Sequence, residues 1–132
     1  MKTYKFKYNK LVRDNIPELI KKDGAKVNQK ILNEKNYLIE LKKKLIEEVA
    51  EMVEVKKKEE ILNELGDVQE IIDNLLMTLG YSAKDLKKVQ IQKNKKNGSF
   101  KKRIYINYIK ADDNFAWLEY HLKHQEKYPL IK

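Results

Sequence analysis

Apolar residues recur at spacings of three and four through two long stretches of the chain. In the first, Leu38, Leu41, Leu45, Val49, Met52 and Val53 mark one face of a helix over residues 34–57. Asn33 supplies an N-cap, and Lys56-Lys57-Lys58 mark the end where cations favour the helix dipole. In the second, Ile61, Leu62, Leu65, Val68, Ile72, Leu75, Leu76 and Leu79 predict a helix over 59–79, with Gly80 as its terminator. So short a connection predicts an antiparallel pair.

Shorter elements flank the pair. Tyr4, Phe6 and Tyr8 alternate with Lys5 and Lys7, the period of a strand, and Arg103–Ile109 is rich in β-branched and aromatic residues. The two are expected to form a small peripheral strand element. Asp14 or Asn15 followed by Pro17 opens a short helix that Gly24 ends. Ser82 opens a third helix with Asp85, Leu86 and Val89, and Asn97-Gly98 ends it. Asp112-Asp113 are expected to cap a last helix that contains Phe115, Trp117, Leu118 and Leu122. The expectation is an all-α fold: a bundle of about four helices, peripheral strands and a C-terminal helix. Residues 1–110 form the domain and 111–132 a helical extension packed on it.

Composition narrows the chemistry. At 132 residues a single domain is expected. With no cysteine there is no disulfide, thiolate metal site or cysteine nucleophile, and two histidines leave little for zinc or Ser-His chemistry. The first residues do not read as a signal peptide, and no apolar run spans a bilayer, so the expected location is cytoplasmic. The formal charge of +9 invites a nucleic-acid reading, but only Arg13 and Arg103 are arginine, the preferred base-reading donor. The densest basic stretch is Lys93 to Arg103, six cations with no acid. It suits a local anion site as well as a broad footprint, and nucleic acid is not the expected partner.

The carboxylates carry the stronger signal. Glu47-Glu48-x-x-Glu51 lies on the first long helix and Glu64-x-x-Asp67 on the second. Residues three apart share a face, so each pair aims at a common point. On the helical wheels Glu48 falls inside the apolar arc and Glu51 at its edge. Glu64 falls between Leu75 and Ile71, and Asp67 lies just past Ile71. Lone buried carboxylates cost several kcal/mol unless paired or metal-bound. A hard divalent cation resolves both that cost and the mutual repulsion.

This arrangement resembles the EExxE…ExxD signature of the MazG-like all-α nucleoside triphosphate pyrophosphohydrolases. That superfamily includes MazG, dimeric dUTPases and phosphoribosyl-ATP pyrophosphohydrolase. Lys10-Leu11-Val12-Arg13-Asp14-Asn15-Ile16-Pro17 is similar to the KLVRDxIP motif of a small house-cleaning subfamily. Gly98-Ser99-Phe100-Lys101-Lys102-Arg103-Ile104 is similar to its GGFxKRI motif. The subfamily has Arg before a Gly-Gly pair where this chain has Asn97-Gly98-Ser99.

The resemblance implies hydrolysis between the α and β phosphates of a nucleoside triphosphate, giving monophosphate and pyrophosphate. It implies Mg²⁺, with Mn²⁺ as a substitute, held by Glu48, Glu51, Glu64 and Asp67. Glu47 and Glu48 are the expected catalytic residues, Glu47 as a further ligand or as the group that orients the water. Lys10, Arg13, Lys93, Lys96 and Arg103 are expected on the substrate phosphates, although Lys10 to Arg13 reads equally as a structural turn. A homodimer or higher homo-oligomer is implied. Two rivals stand beside this reading: a basic nucleic-acid-binding or regulatory protein with a vestigial carboxylate site, and an interaction module built on the Trp117 region.

Overall fold

The structure, a computed structural model, describes all 132 residues and is all-α. Five helices follow one another: α1 (Ile16–Lys22), α2 (Glu34–Glu54), α3 (Lys58–Leu79), α4 (Ala83–Asn97) and α5 (Leu118–Lys123). Internal packing divides the chain into two compact units, Met1–Lys96 and Asn97–Lys132.

The first unit is organised by the hairpin of α2 and α3, the only two helices in contact. The inner row of α2 is Leu38, Leu41, Leu45, Glu48 and Met52, continued by Val55 just past its end, and that of α3 is Ile61, Glu64, Val68, Ile71, Leu75 and Thr78. All are buried or half-buried, and both rows step by three and four, the seam of two helices packed at a shallow angle. The Tyr37 hydroxyl near the start of α2 donates to Asn74 Oδ1 near the end of α3 at 3.4 Å, which makes the pair antiparallel. Caps set the boundaries. The Asn33 side chain accepts from the Asn36 N–H at 2.8 Å. Gly80 takes the left-handed conformation (φ 81°) that lets the backbone close on the last turn of α3. The three-lysine run straddles the connection: α2 stops at Glu54, and Lys58 already belongs to α3, whose first turn is acidic at Glu59 and Glu60.

A second apolar row lies one residue on from each seam. On α2 it is Ile39, Ile46, Val49 and Val53, and on α3 Leu62, Leu65, Ile72, Leu76 and Leu79. Because the helices run in opposite directions, a step of one residue on each turns both rows to the same side of the hairpin. That side is open: Ile46 is 71% exposed, Val53 72% and Leu62 70%. The interior is correspondingly thin, with Leu41, Ile71 and Glu48 the only buried side chains.

α1 follows Asn15 and has Pro17 in its first turn, and α4 opens on a reciprocal cap. The Ser82 hydroxyl accepts from the Asp85 N–H (3.2 Å), while Asp85 Oδ2 accepts from the Ser82 N–H (2.8 Å). The Ser82 N–H and the Ser82 hydroxyl (3.1 Å) both donate to the Asp85 carboxylate and hold it below its ordinary range.

Two expectations are corrected. The peripheral strand element is absent: neither Tyr4–Tyr8 nor Arg103–Ile109 forms a strand, and both stretches are exposed throughout. Strand propensity is realised only against a partner that takes up the backbone groups, and neither segment has one. The last helix is also shorter than expected. Asp112 Oδ1 accepts from the Asn114 N–H at 2.9 Å, and the Phe115 N–H donates to the Asp112 carbonyl at 3.2 Å. Those bonds close an isolated turn, so Phe115 and Trp117 precede α5 instead of lying in it. No helix is long and apolar enough to cross a membrane.

Candidate metal centre

Glu48 and Glu64 take seam positions where the pattern around them demands apolar side chains. Leu41 and Leu45 precede Glu48 in its row, and Ile61 and Val68 flank Glu64 in the opposite one. The two carboxylates therefore meet inside the hairpin, and Glu51, one turn on from Glu48, joins them from its edge. One oxygen of each of Glu48, Glu51 and Glu64 lies within 4.8 Å of the others. Glu48 is buried, Glu64 half-buried and Glu51 exposed, so the cluster opens to solvent on the Glu51 side.

The electrostatics are unbalanced. Oε2 of Glu48 and Oε2 of Glu64 are buried without any hydrogen-bond partner. The only cation near Glu48 is Lys44, at 3.6 Å from Oε1. Burial pushes the Glu48 carboxyl up to about 7, the Glu51 carboxyl beside it and the charge of Asp67 push the same way, and Lys44 opposes them. Two orphaned, buried, hard oxygen donors facing a third carboxylate form a donor set suited to Mg²⁺, Mn²⁺ or another oxygen-seeking cation. A cation would supply the missing partners.

The other predicted residues are placed as follows. Asp67 stays outside the three-oxygen cluster, because Arg13 Nη2 holds its Oδ1 at 2.7 Å. Glu47 Oε1 accepts from Lys10 Nζ at 3.1 Å and from Lys44 Nζ at 3.4 Å. The bond from Lys10 is the main reason its carboxyl sits below the ordinary range. Lys10 and Arg13 thus tie the N-terminal segment across the acidic side of the hairpin. They leave beside Glu47 a recess of about 190 Å³ lined among others by Tyr8, Lys10, Lys43 and Lys44. Lys93 and Lys96 lie on α4, which touches no other helix, and Arg103 lies in the second unit.

Sequence reasoning missed Lys44. Its signal was present: it stands three residues before Glu47 and four before Glu48, the two spacings at which helical side chains meet. The pairing of Lys10 with Glu47 and Arg13 with Asp67 spans 37 and 54 residues, and no local pattern contains it.

Glu47, Glu51 and Lys44 lie on the opposite side of the hairpin from the exposed apolar row, since they precede or follow the seam in the other rotational sense. The acidic site and the apolar face therefore do not compete for the same surface. Comparison of the chain with family profiles, curated proteins and solved structures returns no match.

Proposed function

We propose that the chain is a divalent-metal-dependent nucleoside triphosphate pyrophosphohydrolase of MazG-like type, cleaving between the α and β phosphates. The observation that carries this reading is the buried, partnerless pair Glu48 Oε2 and Glu64 Oε2 facing Glu51. Glu48, Glu51 and Glu64 would hold the cation, with Asp67 released from Arg13 as a further ligand. When bound, Mg²⁺ supplies charge neutralisation at the phosphates and a more acidic water. Glu47, held below its ordinary range in the resting protein and ionised at neutral pH even without Lys10, would accept from that water and orient it. Lys10, Lys43 and Lys44 line the adjoining recess together with Glu40 and Glu47, to which they are paired in the resting protein, and would exchange those acids for a triphosphate tail; Tyr8 gives the recess an aromatic wall. Lys10 and Arg13 act twice in this account. They neutralise Glu47 and Asp67 in the resting protein and turn to the substrate phosphates when these arrive. Lys93 and Lys96 are further candidates for the phosphates.

The test is pyrophosphate release over a panel of ordinary and modified nucleoside triphosphates, with Mg²⁺, with Mn²⁺ and with chelator. Release that requires the metal is the expected result, and its absence across the panel removes the reading.

The same proposal includes assembly. The apolar row of Ile46, Val53, Leu62 and their neighbours runs beside the seam from Ile39 to Val53 on α2 and from Leu62 to Leu79 on α3, and a second copy of the hairpin would cover it to close a four-helix bundle. Burying each such side chain is worth about 1.5–3 kcal/mol. Sedimentation of the wild type at micromolar concentration is therefore expected to give a dimer or a larger species. Ile46→Glu with Val53→Glu is expected to shift it to monomer, and a monomeric wild type would count against the assembly.

A further inference from the structure

The whole excess charge of the molecule lies in one stretch. Residues 86–111 carry nine basic side chains and no acidic one, which leaves the other 106 residues with twenty of each. Every residue of the stretch is exposed. None of its cations is paired: the ion pairs of the molecule all use lysines and arginines elsewhere. In the first unit the stretch is the body of α4, a helix that no other helix touches. In the second it begins with a turn in which the Arg103 N–H donates to the Phe100 carbonyl at 3.1 Å, so Lys101 and Lys102 occupy the corner. Aromatic rings stand among these charges with nothing packed on them: Phe100 is 96% exposed, Tyr105 85% and Tyr108 60%.

We infer that residues 97–111 bind single-stranded nucleic acid, with backbone phosphates on Lys101, Lys102, Arg103 and Lys110 and bases stacked on Phe100, Tyr105 and Tyr108. Cations in a row with exposed rings between them are the two components of sequence-tolerant single-strand binding. The scarcity of arginine argues against base-specific readout of a duplex, but it does not weaken this mode, which reads no base edge. An anionic membrane fits less well. Ile104, Ile106 and Ile109 are exposed in the same stretch, but they lie in an irregular segment and not on one face of a helix that could be laid in a bilayer.

The inference does not rest on the metal site, and a measurement in chelator lets the two fail separately. The full chain is titrated into a labelled oligothymidylate of about 20 nucleotides, and binding is followed by fluorescence anisotropy. With about four phosphates neutralised, affinity is expected to fall about 50-fold between about 50 mM and about 200 mM salt. Lys101→Gln with Lys102→Gln should lower the log–log salt slope by about 1.4. Tyr105→Ala with Tyr108→Ala should weaken binding at least about fivefold with the slope unchanged. Lys26→Gln with Lys30→Gln, outside the stretch, should leave the slope as it is. All these side chains are exposed, and an unchanged circular dichroism spectrum confirms the fold of each variant. No binding at low salt overturns the proposal. So does binding that the Lys101/Lys102 variant leaves unaltered, and so does capture by phosphatidylserine vesicles without capture of the oligonucleotide.

Discussion

Glu48→Gln and Glu64→Gln are each expected to abolish the proposed metal-dependent pyrophosphate release, by more than about 100-fold, and to leave the helical content of the protein unchanged. The size follows from position. Loss of a group that merely orients a ligand costs about 10- to 100-fold, and these two side chains are themselves the proposed ligands. Glutamine is nearly isosteric, so the seam of α2 and α3 keeps its packing and no cavity opens. Glu59→Gln is the control: Glu59 is exposed in the first turn of α3, in no ion pair and outside both the three-oxygen cluster and the recess. It should retain activity close to wild type. If Glu48→Gln and Glu64→Gln keep full, metal-stimulated turnover, the carboxylates are ordinary surface acids and the enzyme reading fails at its root.

The variants also probe how far sequence alone carries. The two long helices were legible because their apolar positions repeat over five or six turns, and no tertiary contact is needed to see a period that long. Glu48 and Glu64 were legible as anomalies against that period. The wheel placed both within apolar arcs, and the structure puts both in the seam. The partition of the acids was not legible. Glu64-x-x-Asp67 looks like one chelating pair, yet Arg13 draws Asp67 aside across 54 residues. The strands were misjudged for a related reason. Tyr4–Tyr8 has the right alternation, but a ladder is a contract between two segments, and one segment's sequence does not show whether the other arrives. In α5 the failure was local. Asp112 can cap a helix or close a turn on Asn114 with the same oxygen, and the second use takes it away from the first.

Without metal, the stability of the protein is expected to fall as pH rises from about 4.5 to about 7, and Mg²⁺ is expected to cancel that fall. The sign follows from Glu48, whose carboxyl is pushed up to about 7 from an ordinary 4.5, first by burial and then by Glu51. A carboxyl with a raised pKa binds its proton more tightly in the folded chain than in the unfolded one. Folding is therefore most favoured below the unfolded value, where both states are protonated. The advantage of the fold shrinks through the window between the two values, as the unfolded chain ionises freely and the folded one cannot. Above about 7 the loss is complete, on the order of 3 kcal/mol for a shift of this size. Glu48→Gln removes the titrating group, so its apo melting temperature should be nearly flat across the window and higher than wild type near neutrality. A bound cation has the opposite effect on the wild type, because it binds the ionised cluster of the folded state alone. At about 100 times its dissociation constant it adds about 2.7 kcal/mol, a rise of roughly 10 °C in melting temperature. Melting curves from pH 4 to 8, with chelator and with Mg²⁺, measure both effects on one axis. A Glu48→Gln variant that keeps the wild-type fall with pH would place the titration elsewhere, and one that keeps the full rise with Mg²⁺ would place the ion elsewhere.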